Sequence, residues 1–256
     1  MIERLRRFSK STALARRLAA ERHRRSLRRW TASDERLAGF YSAFVSAGDL
    51  SFDIGANYGN RTKVFLRLGA RVVAVEPQPS CYQVLAAEYG SHANVAVVQA
   101  AVGEIEGERD LMIADSHVLS SLSPQWIASV SRSGRFATTR WSSTQRVHLT
   151  TVDSLAARYG APQFVKIDVE GYEPNVVRGM SALPDHLSFE LTLPECLDAA
   201  LFCIDHLSSL GTPVFNYSLG ESMRLVLDEW IDGGALKDIL RRRSEPAFGD
   251  ILVAST

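Results

Sequence analysis

Five acidic residues stand where hydrophobic strands should end. "FDIGANYG" closes an apolar run with Asp53, "RVVAVE" ends in Glu76, "FVKIDVEGYE" carries Asp168 and Glu170, and "LSFELT" sets Glu190 between apolar neighbours. A strand buried on both faces should not end in carboxylates unless they are satisfied or work on a ligand. Asp168 and Glu170 lie two apart, so they face the same way where the extended conformation persists. Together with Glu190 they make a cleft floor that can accept a proton, orient an acceptor or hold a divalent cation. Asp168 is assigned as base or metal ligand, and Glu170 and Glu190 as the groups that position the acceptor. The plainer alternative is structural: Asp168 caps the following helix and Glu190 pairs with Lys166. No His joins the cluster in sequence, so no metal-ligand set is assigned and a divalent metal stays the second option.

The first of these stretches sits at a strand–turn–helix junction, where open parallel sheets bind ligands. A dinucleotide fingerprint would read G-x-G-x-x-G; this turn reads D-x-G-x-x-x-G. Glycines at 55 and 59 are expected to let the backbone approach a ligand that a Cβ would keep away. Pyrophosphate favours a helix N-terminus, and a strand-end carboxylate such as Asp53 would repel it. Asp53 suits a ligand with an amino group and no phosphate, such as S-adenosylmethionine. Glu76, about twenty residues on, is placed to accept from both ribose hydroxyls, a feature shared with nicotinamide sites. Small residues Ala100 and Ala101 would leave a flat slot for adenine. The cofactor-binding set is therefore Asp53, Gly55, Ala56, Asn57, Gly59, Asn60, Glu76, Pro77, Ala100 and Ala101.

These residues need a scaffold. Strand-like runs fall at Leu50–Ile54, Arg71–Glu76, Asn94–Ala101, Gln163–Asp168, His186–Thr192, Pro213–Tyr217 and Asp250–Ala254. Helix-like runs at Asn60–Leu68, Ser80–Tyr89, Val152–Tyr159, Pro174–Met180, Glu195–Leu210 and about Asp228–Arg243 alternate with them. Such alternation indicates βαβ units and a mostly parallel seven-stranded α/β sheet. Residues 103–149 break the rhythm with a hairpin around Arg109–Ala114, "SSLSPQW" and a run holding four arginines. A long insertion of this kind suggests a lid. Ser120, Ser121, Trp141 and Tyr172 are the candidate substrate contacts.

The chain of 256 residues has no net charge, but residues 1–30 carry ten Arg and Lys10 against Glu3 and Glu21, about +9. A helix over 2–29 and a second from an N-cap at Ser33 to about Ala47 are expected, making 1–48 a basic extension to a domain over 49–256. A basic helix can meet an anionic membrane surface or a partner protein; nucleic acid is not the expected partner. The start also fits a transit peptide, Arg-rich and acid-poor. No apolar run is long enough to span a bilayer, and the three separated cysteines suggest a reduced, cytoplasmic setting, membrane-peripheral if the basic helix docks.

Taken together, "FDIGANYGNRT", "VVAVEPQPSCYQVL", "VVQAAVG", "TVDSLAARYG", "FVKIDVEGYEPNVVRGM", "LSFELT" and "GDILVAS" resemble the FkbM family of S-adenosylmethionine-dependent methyltransferases. The linked "TVDSL…KIDVEGYE" pair is the more specific part. The resemblance implies a Rossmann-like sheet of order 3-2-1-4-5-7-6 with its last strand antiparallel. It also implies that Asp53, Gly55, Asn57, Gly59 and Glu76 hold the cofactor, with Asp168, Glu170 and Glu190 near the transferred methyl. The expected activity is O-methylation of a hydroxyl on a small molecule, sugar or glycan. Two alternatives are carried: a nicotinamide-dependent oxidoreductase, and a non-catalytic module that binds anionic surfaces through its N-terminus.

Overall fold

The computed structural model describes residues 18–255. Seven strands form the main sheet: β1 (Leu50–Ile54), β2 (Arg71–Val75), β3 (Val95–Val98), β7 (Phe164–Ile167), β8 (His186–Leu193), β9 (Val214–Leu219) and β10 (Ala247–Ala254). Their order is β3-β2-β1-β7-β8-β10-β9, and β10 alone runs antiparallel to both its neighbours. Counted within this sheet, that is the expected order 3-2-1-4-5-7-6. Three further strands make a small second sheet: β4 (Ala101–Val102), β5 (Gly107–Ala114) and β6 (Trp141–Thr150), in the order β4-β6-β5.

Strand alternation separates the two faces of the main sheet. Leu50, Phe52, Ile54, Val165 and Ile167 point to one side. There they pack under α6 (Val152–Tyr159), α7 (Glu173–Arg178), α8 (Leu197–Ser209) and α9 (Gly233–Arg242). Val72, Ala74 and Phe164 point to the other side, under α2 (Ala32–Tyr41), α3 (Asn60–Arg67) and α4 (Pro79–Tyr89), joined by Leu27 from a helical stretch over 18–27 (α1). Asp53 and Lys166 are register partners on β1 and β7, so both side chains lie on this second face. The sequence thus puts charge into an otherwise apolar layer, at the carboxyl edge where a ligand can meet it.

Several boundaries differ from expectation. The strand expected over Asn94–Ala101 is two strands: Val95–Val98 pairs with β2, while Ala101–Val102 leaves the sheet to pair with β6. An apolar run cannot reveal such a change of partner, because both pairings need the same residue types. The helix N-cap is Thr31 rather than Ser33, with a reciprocal capping box to Asp34, and the helix ends at Tyr41. Residues 103–149 are ordered: β5 and β6 pair antiparallel over their length, and α5 (Pro124–Ser133) starts at a Ser123 cap. Of the arginines there, Arg135 is held by Glu195 and the Leu193 carbonyl, and Arg146 lies between Glu108 and Asp110 on an exposed ladder. The extreme N-terminus, including much of the basic run, lies outside the described residues. Within them no helix is long and apolar enough to cross a membrane.

Candidate active site

A cavity of about 350 Å³ opens at the carboxyl edge of β1, β2 and β7. It is lined by Asp53, Gly55, Ala56, Asn57, Asn60, Glu76, Pro77, Ala100 and Ala101, nine of the ten residues assigned to the cofactor. Asp168, Glu170, Tyr172 and Ser120 line it too. Gly59, Glu190, Ser121 and Trp141 do not.

The glycines are explained differently from the sequence reading. A Cβ at Gly55 (φ +81°) would sit 1.8 Å from the Asp168 carbonyl oxygen, so glycine is needed for the close approach of the β1 and β7 turns. A Cβ at Gly59 (φ +93°) would meet Leu85 at 2.7 Å and Tyr89 at 3.0 Å, which are packing contacts of α4. Both glycines are demanded by the chain's own packing, and Gly55 also lines the cavity. The Gly55 contact has a functional result, because it brings Asp53 and Asp168 to one wall.

Each acidic side chain has a distinct setting. Asp53 is 1 % exposed and accepts from the Thr62 hydroxyl at 2.6 Å, tying β1 to α3. Burial lifts its carboxyl above the ordinary range, an effect the Thr62 bond opposes. Glu76 accepts the backbone N–H groups of Asn57 and Gln78, both at 2.8 Å, one on each oxygen. A carboxylate oxygen has a second lone pair, so Glu76 can shape the loop and still take a hydroxyl from the cavity. Burial pushes Glu76 up to about 7.

Asp168, Glu170 and Glu190 come together as the sequence implied, with one carboxylate oxygen from each within 4.8 Å of the others. Glu190 does not pair with Lys166. Lys166, 1 % exposed, instead bonds Asp250 at 2.9 Å and Asp168 at 3.3 Å. Burial alone would lower its pKa, and those two carboxylates hold it well above the usual value. Glu170 is raised well above the carboxylate range by burial and then by Glu190 beside it; Glu190 is raised by burial and then by Asp168. Glu190 accepts from Thr192 at 3.2 Å. Glu170 has a left-handed backbone (φ 54°), uncommon for a residue with a side chain, and its carbonyl accepts from the Ser121 hydroxyl at 2.7 Å. The three carboxylates form an all-oxygen set of the kind a hard divalent cation uses, and such an ion when bound would polarise an acceptor oxygen.

The candidate substrate contacts divide. Ser120 donates to the Gln78 side chain at 2.9 Å at the cavity wall, and Tyr172 is a wall residue. Ser121 is spent on Glu170. Trp141 donates to the Leu119 carbonyl at 2.7 Å and stacks edge-on with Trp126, so it builds the α5–β6 cluster away from the cavity.

Sequence reading missed the roof. His23, Ser26 and Leu27 of α1 line the same cavity, with His23 stacked 3.8 Å from Tyr58 and Tyr58 4.5 Å from His117. Burial lowers the pKa of both histidines. Arg24 and Arg28 fasten α1 to Glu88 on α4. Arg61 was also missed; it lines the cavity one residue into α3. Nothing in the local pattern marked these groups, since each reaches the site only through tertiary packing.

A family model described as the Methyltransferase FkbM domain matches residues 53–203, more than half of the chain. The chain belongs to the FkbM methyltransferase family. The match starts at Asp53 and includes Glu76, Asp168, Glu170 and Glu190. It makes the protein an S-adenosylmethionine-dependent methyltransferase and removes the nicotinamide alternative. The cavity residues fit that cofactor: Glu76 has lone pairs for ribose, Ala100 and Ala101 leave room for a flat base, and Asp53 and Arg61 bring both signs of charge. When bound, the cofactor supplies an electrophilic methyl. Comparison with curated proteins returned no significant match. Among solved structures, the precorrin-6y C5,15-methyltransferase of Geobacter metallireducens is 10 % identical, with 86 % of this chain and 87 % of that one covered and a TM-score of 0.46. An S-adenosylmethionine-dependent O-methyltransferase from Thermotoga maritima is 11 % identical, covering 86 % and 64 %, with a TM-score of 0.42. An rRNA methylase from Streptococcus thermophilus is 11 % identical, covering 86 % and 94 %, also at 0.42.

Proposed function

We propose that this methyltransferase acts on a hydroxyl oxygen of a small molecule or a sugar. The observation that carries this reading is the carboxylate group on the β7–β8 side of the cavity, with Glu170 in the wall and Glu190 behind it. An alcohol is a poor nucleophile until its proton leaves, so an O-methyltransferase needs a proton acceptor beside the transferred methyl. Asp168 is committed to an ion pair with the Lys166 ammonium at 3.3 Å. The base role therefore passes from Asp168 to Glu170, whose basicity is raised by burial and by Glu190. Asp168 and Tyr172 then orient the acceptor, and the α1 roof with its aromatic trio keeps bulk water from the bound cofactor.

The enzyme is read as cytoplasmic, supported by three cysteines that are all free thiols. Contact of the basic N-terminus with a membrane surface or a partner protein would use arginines other than Arg24 and Arg28, which are bound to Glu88, such as the exposed Arg25.

Incubation with methyl-labelled S-adenosylmethionine and a panel of alcohols, sugars, amines and C–H acidic compounds tests the reading. Label in ether-linked methyl on a hydroxylated acceptor, found by mass spectrometry, is the expected result. Label confined to nitrogen or carbon would overturn it.

A further inference from the structure

Arg61 is the one Arg or Lys among the described residues that line the cavity. Its position is unusual for a cation surrounded by acids. Asp168 and Asp250 are both within ion-pair distance of Lys166, while the nearest carboxylate to Arg61 is that of Glu221, 3.8 Å away on a side chain 72 % exposed. The Arg61 Nε is buried and has no hydrogen-bond partner. Burial disfavours its charge, yet Tyr41, Asp250, Asp168 and Glu221 together keep the guanidinium firmly protonated. A largely buried guanidinium, 21 % exposed, whose Nε donor is buried and unused is costly unless something completes it. The cavity is where the completing group can enter, and a planar carboxylate matches the guanidinium fork.

We propose that Arg61 binds the α-carboxylate of the methionine moiety of the cofactor. This rests on the S-adenosylmethionine reading and adds the residue that selects an amino-acid-bearing nucleoside. Arg61 directly follows Asn60 in α3, which packs on the same sheet face as Asp53, and it lines the cavity together with Asn57, Asn60 and Asp53. In the free enzyme the carboxylates around Arg61 hold its charge. In the complex the ligand carboxylate takes the open donor. A carboxylate carried by the acceptor has the same chemistry, and the ligands of the test separate the two sources.

The experiment is calorimetry with two nucleosides and no acceptor. S-Adenosylhomocysteine carries the α-carboxylate; 5′-methylthioadenosine has the same thioether nucleoside without the amino-acid end. Wild-type protein should bind the first more tightly. Arg61→Met should weaken S-adenosylhomocysteine roughly 10- to 100-fold, the worth of a hydrogen bond to a charged group, and leave 5′-methylthioadenosine within about twofold. Arg61→Lys should recover part of the loss, because it keeps the charge and loses the fork. Retained 5′-methylthioadenosine binding shows that the variant is folded. Equal weakening of both ligands, or of neither, would overturn the role of Arg61. Binding of neither nucleoside by the wild type would overturn the cofactor reading itself, and this proposal with it.

Discussion

The two sides of the cavity solve the problem of buried acid in opposite ways. On the β2–β3 side, Glu76 is buried and both its oxygens are met by backbone N–H groups. On the β7–β8 side, Asp168, Glu170 and Glu190 crowd one another, and only Asp168 of the three is ion-paired, to Lys166. The first arrangement fixes a shape: the Glu76 bonds tie the glycine turn to the end of β2, and a ligand meets a wall already formed. The second favours the protonated form, because burial and the crowding of like charges raise both Glu170 and Glu190 well above the ordinary carboxylate range. The two kinds of buried acid thus lie along one sheet edge, in one cavity with Asp53 and Arg61.

That comparison can be broken at either end. The largest effect is expected for Glu170→Gln, which keeps the shape and removes the base. Turnover should fall about 10²- to 10⁴-fold while cofactor affinity changes only a few-fold, as read by steady-state kinetics beside calorimetry. An equal loss in both would make Glu170 a binding residue. Next is Lys166→Met, which leaves Asp168 and Asp250 facing each other without their cation. A loss of about 3–5 kcal/mol in denaturant unfolding is expected; a loss below about 1 kcal/mol would mean that the acids are satisfied elsewhere.

The smallest effect belongs to Glu76 and depends on pH. Its carboxyl sits at about 7 when folded, against an ordinary value near 4.5. Between those values the native state binds more protons than the unfolded chain, so stability falls as pH rises through that window. Glu76→Gln should remove its share of the decline. Thermal melts from pH 5 to pH 7 should then show wild type losing on the order of 1–3 kcal/mol relative to the variant. Parallel pH profiles for the two proteins would contradict a proton held at Glu76.

The seven strands, the turn at Asp53 and the acidic strand ends were legible because each is local, whereas the order of the strands was implied by the family resemblance. Alternating apolar runs dictate strands and helices, and a carboxylate closing a buried run is conspicuous wherever the run ends. The same locality explains the errors. "NVAVVQA" reads as one strand because nothing in it shows that Ala101 changes partner. The packing of the glycines at 55 and 59 was invisible in the same way, because Asp168, Leu85 and Tyr89, which crowd them, lie far along the chain.

By itself the sequence determined the family, through its motifs, and the strands with acids at their carboxyl ends, through periodicity and residue type. Only the tertiary structure decided what each acid meets there. Lys166 chooses Asp250 and Asp168 over Glu190, Glu76 is met by two N–H groups, and α1 brings His23 over the cavity. These are contacts between distant segments, and their distances set the local field. A side chain's type says what it can do with a proton; its neighbours decide when it does.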